Sequence, residues 1–251
     1  MKRALLLMLA FFALTGQREP ILVPEISEHE VRVRQGFTGT ELLLFGAILE
    51  PDGSRVGRHY DIVVVLKRAT EAIKLREKDR VAGIWVNAQS TDFRSAPSYF
   101  AVASSRPVDE IVDERTAAIY ELGLEYLQLS PSGSIDPEEQ ARFTSGLVDL
   151  RERAGLYRAD PGGVTISEGV LYQARIPLPS NVQTGAYTAE TFAITRGRVI
   201  ASATSDVVVQ KQGFELIVYE FSQENGFWYG LFAVLLSLLM GWLAGRVFRL
   251  V

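Results

Sequence analysis

Cysteine is absent from the 251 residues, and histidine occurs only at His29 and His59. Without cysteine there is no disulfide, no thiolate chemistry and no lipid-modified N-terminal cysteine. A zinc site draws most of its ligands from Cys and His. Two isolated histidines therefore argue against one and read as surface residues of strands. The stretch "DPEEQ" lacks the spaced oxygen ligands of a calcium loop. No G-x-x-x-x-G-K-[ST] phosphate loop and no G-x-S-x-G nucleophile elbow is present. The glycines of "QGFTGTELLLFGAI" lie three apart, at Gly36 and Gly39, with no lysine after them and a strand-like run next. They read as a bend between strands rather than a nucleotide cradle. No cofactor is expected.

The two ends supply what the middle lacks. "MKRALLLMLAFFALTG" has the order of a secretory signal: Lys2 and Arg3, an apolar run over 4–14, then small residues. The alternative is an uncleaved anchor, for which the run is about half the ~20 residues a span needs. From Phe227 to Gly245 no charge occurs. As a helix that stretch is about 28 Å long, close to the ~30 Å hydrocarbon layer. Phe227, Trp228 and Tyr229 form an aromatic edge. Arg246 and Arg249 follow the span, while Glu220 and Glu224 precede it. The positive-inside rule then places the C-terminus in the cytoplasm and 17–225 outside it. In a bacterial inner membrane the large region is periplasmic. Four of the 26 basic residues and none of the 30 acidic ones lie at the two ends, which leaves 22 against 30 between them, a net charge near −8. That balance argues against nucleic acid or an anionic membrane face as a partner.

The outer region reads as mainly β, an immunoglobulin-like sandwich with a helical hairpin inserted, plus one C-terminal transmembrane helix. A signal covers 1–16 and a first sandwich region 17–107. "EVRVRQ" alternates, "ELLLFGAIL" and "YDIVVVLKR" are short apolar runs, and "AIKLREKDRVAGIWVN" suits strands with charges on a solvated face. The helical insert covers 108–158. Ile111, Ala118, Leu122, Tyr126 and Leu129 recur as one helix face, and "SPSGS" breaks it. A second helix starts at Asp136 as N-cap with Pro137 first, and stops near Gly155. A second β-rich region covers 159–225. It contains a hairpin turning at Arg196-Gly197, and "FELIVYEFSQEN" follows as a last strand or extended linker. The span is 226–248 and the tail 249–251.

Several stretches together resemble one family. They are "GFTGTELLLFGAI", "RVAGIWVNAQS", "SYFAVASSRPVDEI", "GLYRADPGGVT", "RIPLPSNVQTGAYTAETF" and "LLMGWLAGRVFR". They are similar to the putative transmembrane protein family of alphaproteobacteria, over nearly the whole chain. The resemblance implies a signal, an exported region and one C-terminal span, and it carries over no catalytic residues. It also implies a neighbourhood: genes of the family often lie beside a sulfite/organosulfonate exporter-type permease, which points to an accessory role in anion export.

Three groups of residues could act. Ser104, Ser105 and Arg106 end a strand. Arg106 could hold an oxyanion such as sulfite through its fork, or pair with Asp109 or Glu110. The serines could bond the turn or offer a nucleophile, which would need a base within reach. Trp85 and Asn87 in "GIWVN" read as core rather than as a binding platform. In the span, Ala233, Ser237, Gly241 and Gly245 recur every four residues, a small-residue row that lets helices approach closely. The expected protein is not an enzyme. It is an accessory or assembly partner of an integral membrane permease, or a homo-oligomer through the helix. The alternative is a periplasmic sensor binding a small anion and signalling through a membrane partner.

Overall fold

Alternating and continuous apolar runs become two stacked sheets and an arm of two long strands, joined at its base by a short third. The computed structural model describes residues 20–33, 37–50, 59–133, 136–211 and 214–247. The expected signal, the position of Gly36 and the 249–251 tail lie outside the described residues.

Four strands open the chain: β1 (Ile21–Ile26), β2 (Glu30–Val33), β3 (Gly39–Leu49) and β4 (Asp61–Arg68). Two long strands, β5 (Thr70–Val81) and β6 (Ile84–Pro97), form the arm, and β7 (Phe100–Ser104) returns to the body. Short helices α1 (Val108–Ile111) and α2 (Glu114–Tyr120), a 3-10 turn at Leu124–Tyr126, β8 (Ser130–Pro131) and the longer α3 (Pro137–Arg153) follow. Strands then resume as β9 (Tyr157–Pro161), β10 (Val164–Ser167), β11 (Leu171–Pro179), β12 (Gly185–Thr195) and β13 (Arg198–Lys211). The last helices are α4 (Phe214–Glu224) and α5 (Gly226–Val247).

One sheet of the body has the order β1-β3-β11-β10 and the other β2-β13-β12-β4-β7-β9, while the arm forms a third sheet, β5-β6-β8. Both draw strands from before and after the helical insert: β3 pairs with β11, and β4 with β12. The two β-rich stretches therefore build shared sheets. The Tyr99 hydroxyl donates to the Pro177 carbonyl at 2.8 Å, tying the start of β7 to β11 in the facing sheet. Tyr99 also meets Tyr187 edge to face at 5.7 Å. β4 is buried at every position from Asp61 to Leu66. Its unbroken "DIVVVL" is the pattern of a strand covered on both faces. The outer cover includes α2, where Tyr120 packs on Phe192 at 5.3 Å and Glu121 reaches Lys67 at 3.6 Å.

The insert has a topological reason. β7 and β9 pair in parallel. A parallel pair needs a long crossover, commonly helical, and residues 105–156 supply it. The second helix starts as the sequence predicts, with Asp136 accepting from the Glu138 amide at 2.9 Å and Pro137 in the first position. Gly155, at φ +70°, ends it. The first arm differs from the expected continuous helix. Asp113 caps a fresh start at α2, Glu121 closes it at φ +52°, and Gly123 is extended. Ile111, Leu122 and Leu129 are buried all the same, so their spacing reports a buried edge and not one helix.

The chain from Gln210 on, together with Arg32–Phe37, forms a second unit. There "FELIVYEFSQE" is helix α4, not a strand. Its β-branched Ile217 and Val218 suggest a strand, yet Phe214, Ile217 and Phe221 keep a helical three-four-seven spacing. The Asn225 amide donates to the Phe221 carbonyl, and Tyr229 donates to Asn225, both at 2.9 Å. The hydrogen-bonded turns of α4 thus run on into α5, and Phe221 lies 6.4 Å from Phe232.

Candidate functional site

At the end of β7 the three polar residues come together with a partner the sequence does not reveal, Asp61 at the start of β4. Arg106 donates from Nε to Asp61 Oδ1 at 3.0 Å and from Nη2 to Oδ2 at 2.7 Å. Its Nη1 approaches Glu110 Oε2 at 3.4 Å. The Ser105 hydroxyl donates to Asp61 Oδ1 at 2.9 Å and accepts from the Ile62 amide at 3.3 Å. Ser104 is buried, and its carbonyl accepts from the Gly162 amide at 2.8 Å. The Arg106 hydrogen bonds hold the Asp61 carboxyl below its ordinary value of 3.8, with Ser105 adding to this and burial opposing it. The same carboxylate raises Arg106 further. A carboxylate held ionised in this way is a poor general base. The Ser105 proton is engaged with it, and the bidentate fork that would grip an oxyanion is filled by Asp61. The cluster works as a clamp joining β4 to β7.

The span residues lie on α5. Gly226–Arg246 is long and apolar enough to cross a membrane, and among the described residues none of its most apolar window is buried. The Ser237 hydroxyl donates back to the Ala233 carbonyl at 2.8 Å. It is therefore satisfied within its own helix and presents a small, smooth surface. Among the described residues nothing outside the helix itself lies within 4 Å of a Cβ placed at Gly241 or Gly245.

Trp85 corrects the expectation of a core residue: it is 66% exposed. It stands near the tip of the β5–β6 arm, whose turn, Ala82 and Gly83, takes φ +50° and +86°. These are the values of a tight hairpin turn. Val81, Ile84 and Val86 beside it are also exposed. Across the base of the arm, α3 packs Phe143 and Leu147, with Arg142 bound to Glu77 at 3.2 Å and Arg151 to Glu71 at 3.1 Å. A cleft of about 530 Å³ lies there, lined by Leu75, Glu77, Phe143, Gly146 and Leu150 among others. A second, more polar cleft of about 390 Å³ mixes signs: Arg158 and Arg175 share it with Glu41 and Asp160. Among the described residues no three of His, Asp and Glu gather as a metal set.

A mostly β body and, among the described residues, one apolar, unburied C-terminal helix are the features of a membrane protein with a C-terminal span. Residues 21–250 match the family described as putative transmembrane protein, and the chain belongs to that family. No curated protein matches the chain.

Proposed function

We propose that the protein is a non-enzymatic interaction protein of a membrane complex, anchored by α5 and serving as an accessory or assembly partner of an integral membrane permease, with organic-anion or sulfite export as the setting. The observation that carries the reading is α5 itself: its most apolar window has no cover among the described residues, so lipid and other helices are needed to supply it. The row Ala233, Ser237, Gly241 and Gly245 gives a neighbouring helix a place to approach. Steps of four residues advance about 40° round a helix of ~3.6 residues per turn. Such a row winds slowly and suits a right-handed crossing. The clamp at Asp61, Ser105 and Arg106 supports a structural rather than a catalytic role for the polar strand end.

The test is purification of the full chain from gently solubilised membranes. A permease or other integral protein is expected to come with it, and to be lost in the Ser237→Leu/Gly241→Leu variant. A chain that elutes alone as a monomer overturns the reading. Hydrolytic turnover abolished by Ser105→Ala would overturn its non-enzymatic part.

A further inference from the structure

Side chains alternate along a strand, so Lys74, Arg76, Lys78 and Arg80 share one face of β5. All four are exposed. Across the ladder Arg80 lies opposite Trp85, Lys78 opposite Asn87 and Arg76 opposite Ser90, and opposed residues point to the same face. Lys74 has an acidic neighbour, Asp92 at 3.6 Å, and Arg80 donates from Nε to the Gly83 carbonyl at 3.3 Å. Among the described residues Arg76 and Lys78 have no acidic partner. The acidic residues of the strand, Glu77 and Asp79, alternate onto the other face, where Arg142 takes Glu77. A shallow depression of about 300 Å³ opens on the basic side, lined by Lys74, Arg76, Asn87 and Ser90 among others. Beyond it the tip is apolar on both faces: Trp85, 66% exposed, shares the basic face, while Val81 (55%), Ile84 (69%) and Val86 (39%) lie on the face of Asp79.

We propose that the β5–β6 arm is a lipid-contacting probe. Trp85, Ile84, Val81 and Val86 seat in the interfacial layer of an anionic leaflet, and Lys74, Arg76, Lys78 and Arg80 meet its phosphates. The chemistry selects that surface. Tryptophan favours the headgroup level of a bilayer, and a basic row beside an apolar edge is drawn to anionic lipid. Long basic side chains also cover apolar area while their charges stay in water. Depth is limited by the backbone. A two-stranded ribbon has unpaired amides and carbonyls along its outer edges, which cannot enter hydrocarbon, so the tip stays at the interface. The α5 span keeps a bilayer at high effective concentration, so a weak contact suffices. The net negative charge of the outer region as a whole confines attraction to the arm. The proposal rests on the span, and not on the permease partnership.

The chain has three tryptophans, so Trp228→Phe/Trp242→Phe leaves Trp85 as the sole reporter, and Trp85→Phe/Trp242→Phe leaves Trp228. Each full-length variant is placed in nanodiscs of phosphatidylcholine, or of phosphatidylcholine with phosphatidylglycerol, with and without brominated acyl chains. Trp85 emission is expected to shift to the blue and be quenched several-fold by bromine in the anionic discs. The effect should be much smaller in neutral discs, and should fall to the neutral level in Arg76→Gln/Lys78→Gln/Arg80→Gln. Trp85 emission that stays at its detergent value while Trp228 is quenched overturns the proposal and leaves the span standing. An equal shift in neutral and anionic discs, or one seen only with two chains per disc, also overturns it. If neither tryptophan is quenched, the span reading itself fails.

Discussion

Single atoms decide two positions in the body. Gly46 lies in β3 between β1 and β11. A Cβ there would sit 2.3 Å from the Val23 carbonyl oxygen and 2.7 Å from the Tyr172 hydroxyl. Backbone on one side and a buried ring on the other leave no room to yield. Gly46→Ala should therefore cost about 1–3 kcal/mol, the usual range for overpacking, and lower the midpoint of thermal unfolding. An unchanged midpoint would mean that β1 and Tyr172 can move apart. Asp61 gives a pH signature. Its folded-state pKa is lowered, chiefly by Arg106. The stability it contributes is thus present above the ordinary carboxylate range and is lost as pH falls through and below that range. Asp61→Asn should be less stable than the parent at pH 7, and the two should converge at strongly acid pH. A gap that persists undiminished in acid would assign the loss to packing. The buried tyrosines act at the other limit. Burial raises Tyr60 and Tyr187 from 10.0 to about 12. Their stabilising share is full below pH 10 and is lost as pH rises through about 12.

The sequence shows Arg106 and its neighbouring serines but not Asp61, because the partner lies 45 residues away and a lone aspartate before an apolar run carries no local pattern. Gly39 is legible. Its φ is +109°, and a Cβ at this position would lie 2.8 Å from the Leu178 carbonyl oxygen. Unusual backbone angles and close backbone approach are the two uses a strand glycine suggests.

At the scale of elements, periodicity is read correctly where one face is wet and wrongly where context supplies the cover. The capping pattern of Asp136 and Pro137 locates α3 because caps are local chemistry. The alternation of β5 is visible too, and so is its basic row. What alternation cannot show is that β6 runs out with β5 past the edge of the body, leaving "GIWV" in solvent. Tryptophan in a strand-like run reads as core because large aromatic side chains are usually covered. The α3 helix is the brace of that arm. Phe143 is 3% exposed, and truncating a buried phenylalanine typically costs about 3–5 kcal/mol. Phe143→Ala should destabilise the body and, before global unfolding, speed amide exchange along the base of β5 and β6. Exchange that rises uniformly over both sheets would show instead that the arm has no separate stability.

At the scale of the molecule, the sequence features that set topology act at the ends, and the β body answers to them through one helix. Membrane orientation follows from where positive charge is retained: Arg246 and Arg249 lie on one side of the span, the net acidic stretch 17–225 on the other. A chain without cysteine makes that orientation directly measurable, because one introduced thiol has no competitor. Ser90 lies in the exposed arm, and Leu250 follows the span. In spheroplasts a membrane-impermeant maleimide should label Ser90→Cys at once and Leu250→Cys only after permeabilisation. The reverse pattern would place the arm in the cytoplasm. There the expected exported region would not be exported, although the lipid contact of the arm could still form on an anionic leaflet. Equal labelling of both thiols without permeabilisation would mean that α5 lies along the membrane or in a protein groove and does not cross. The apolar length of α5, with none of its most apolar window buried among the described residues, favours crossing over lying flat, and the arginines after the span favour the first of the two orientations.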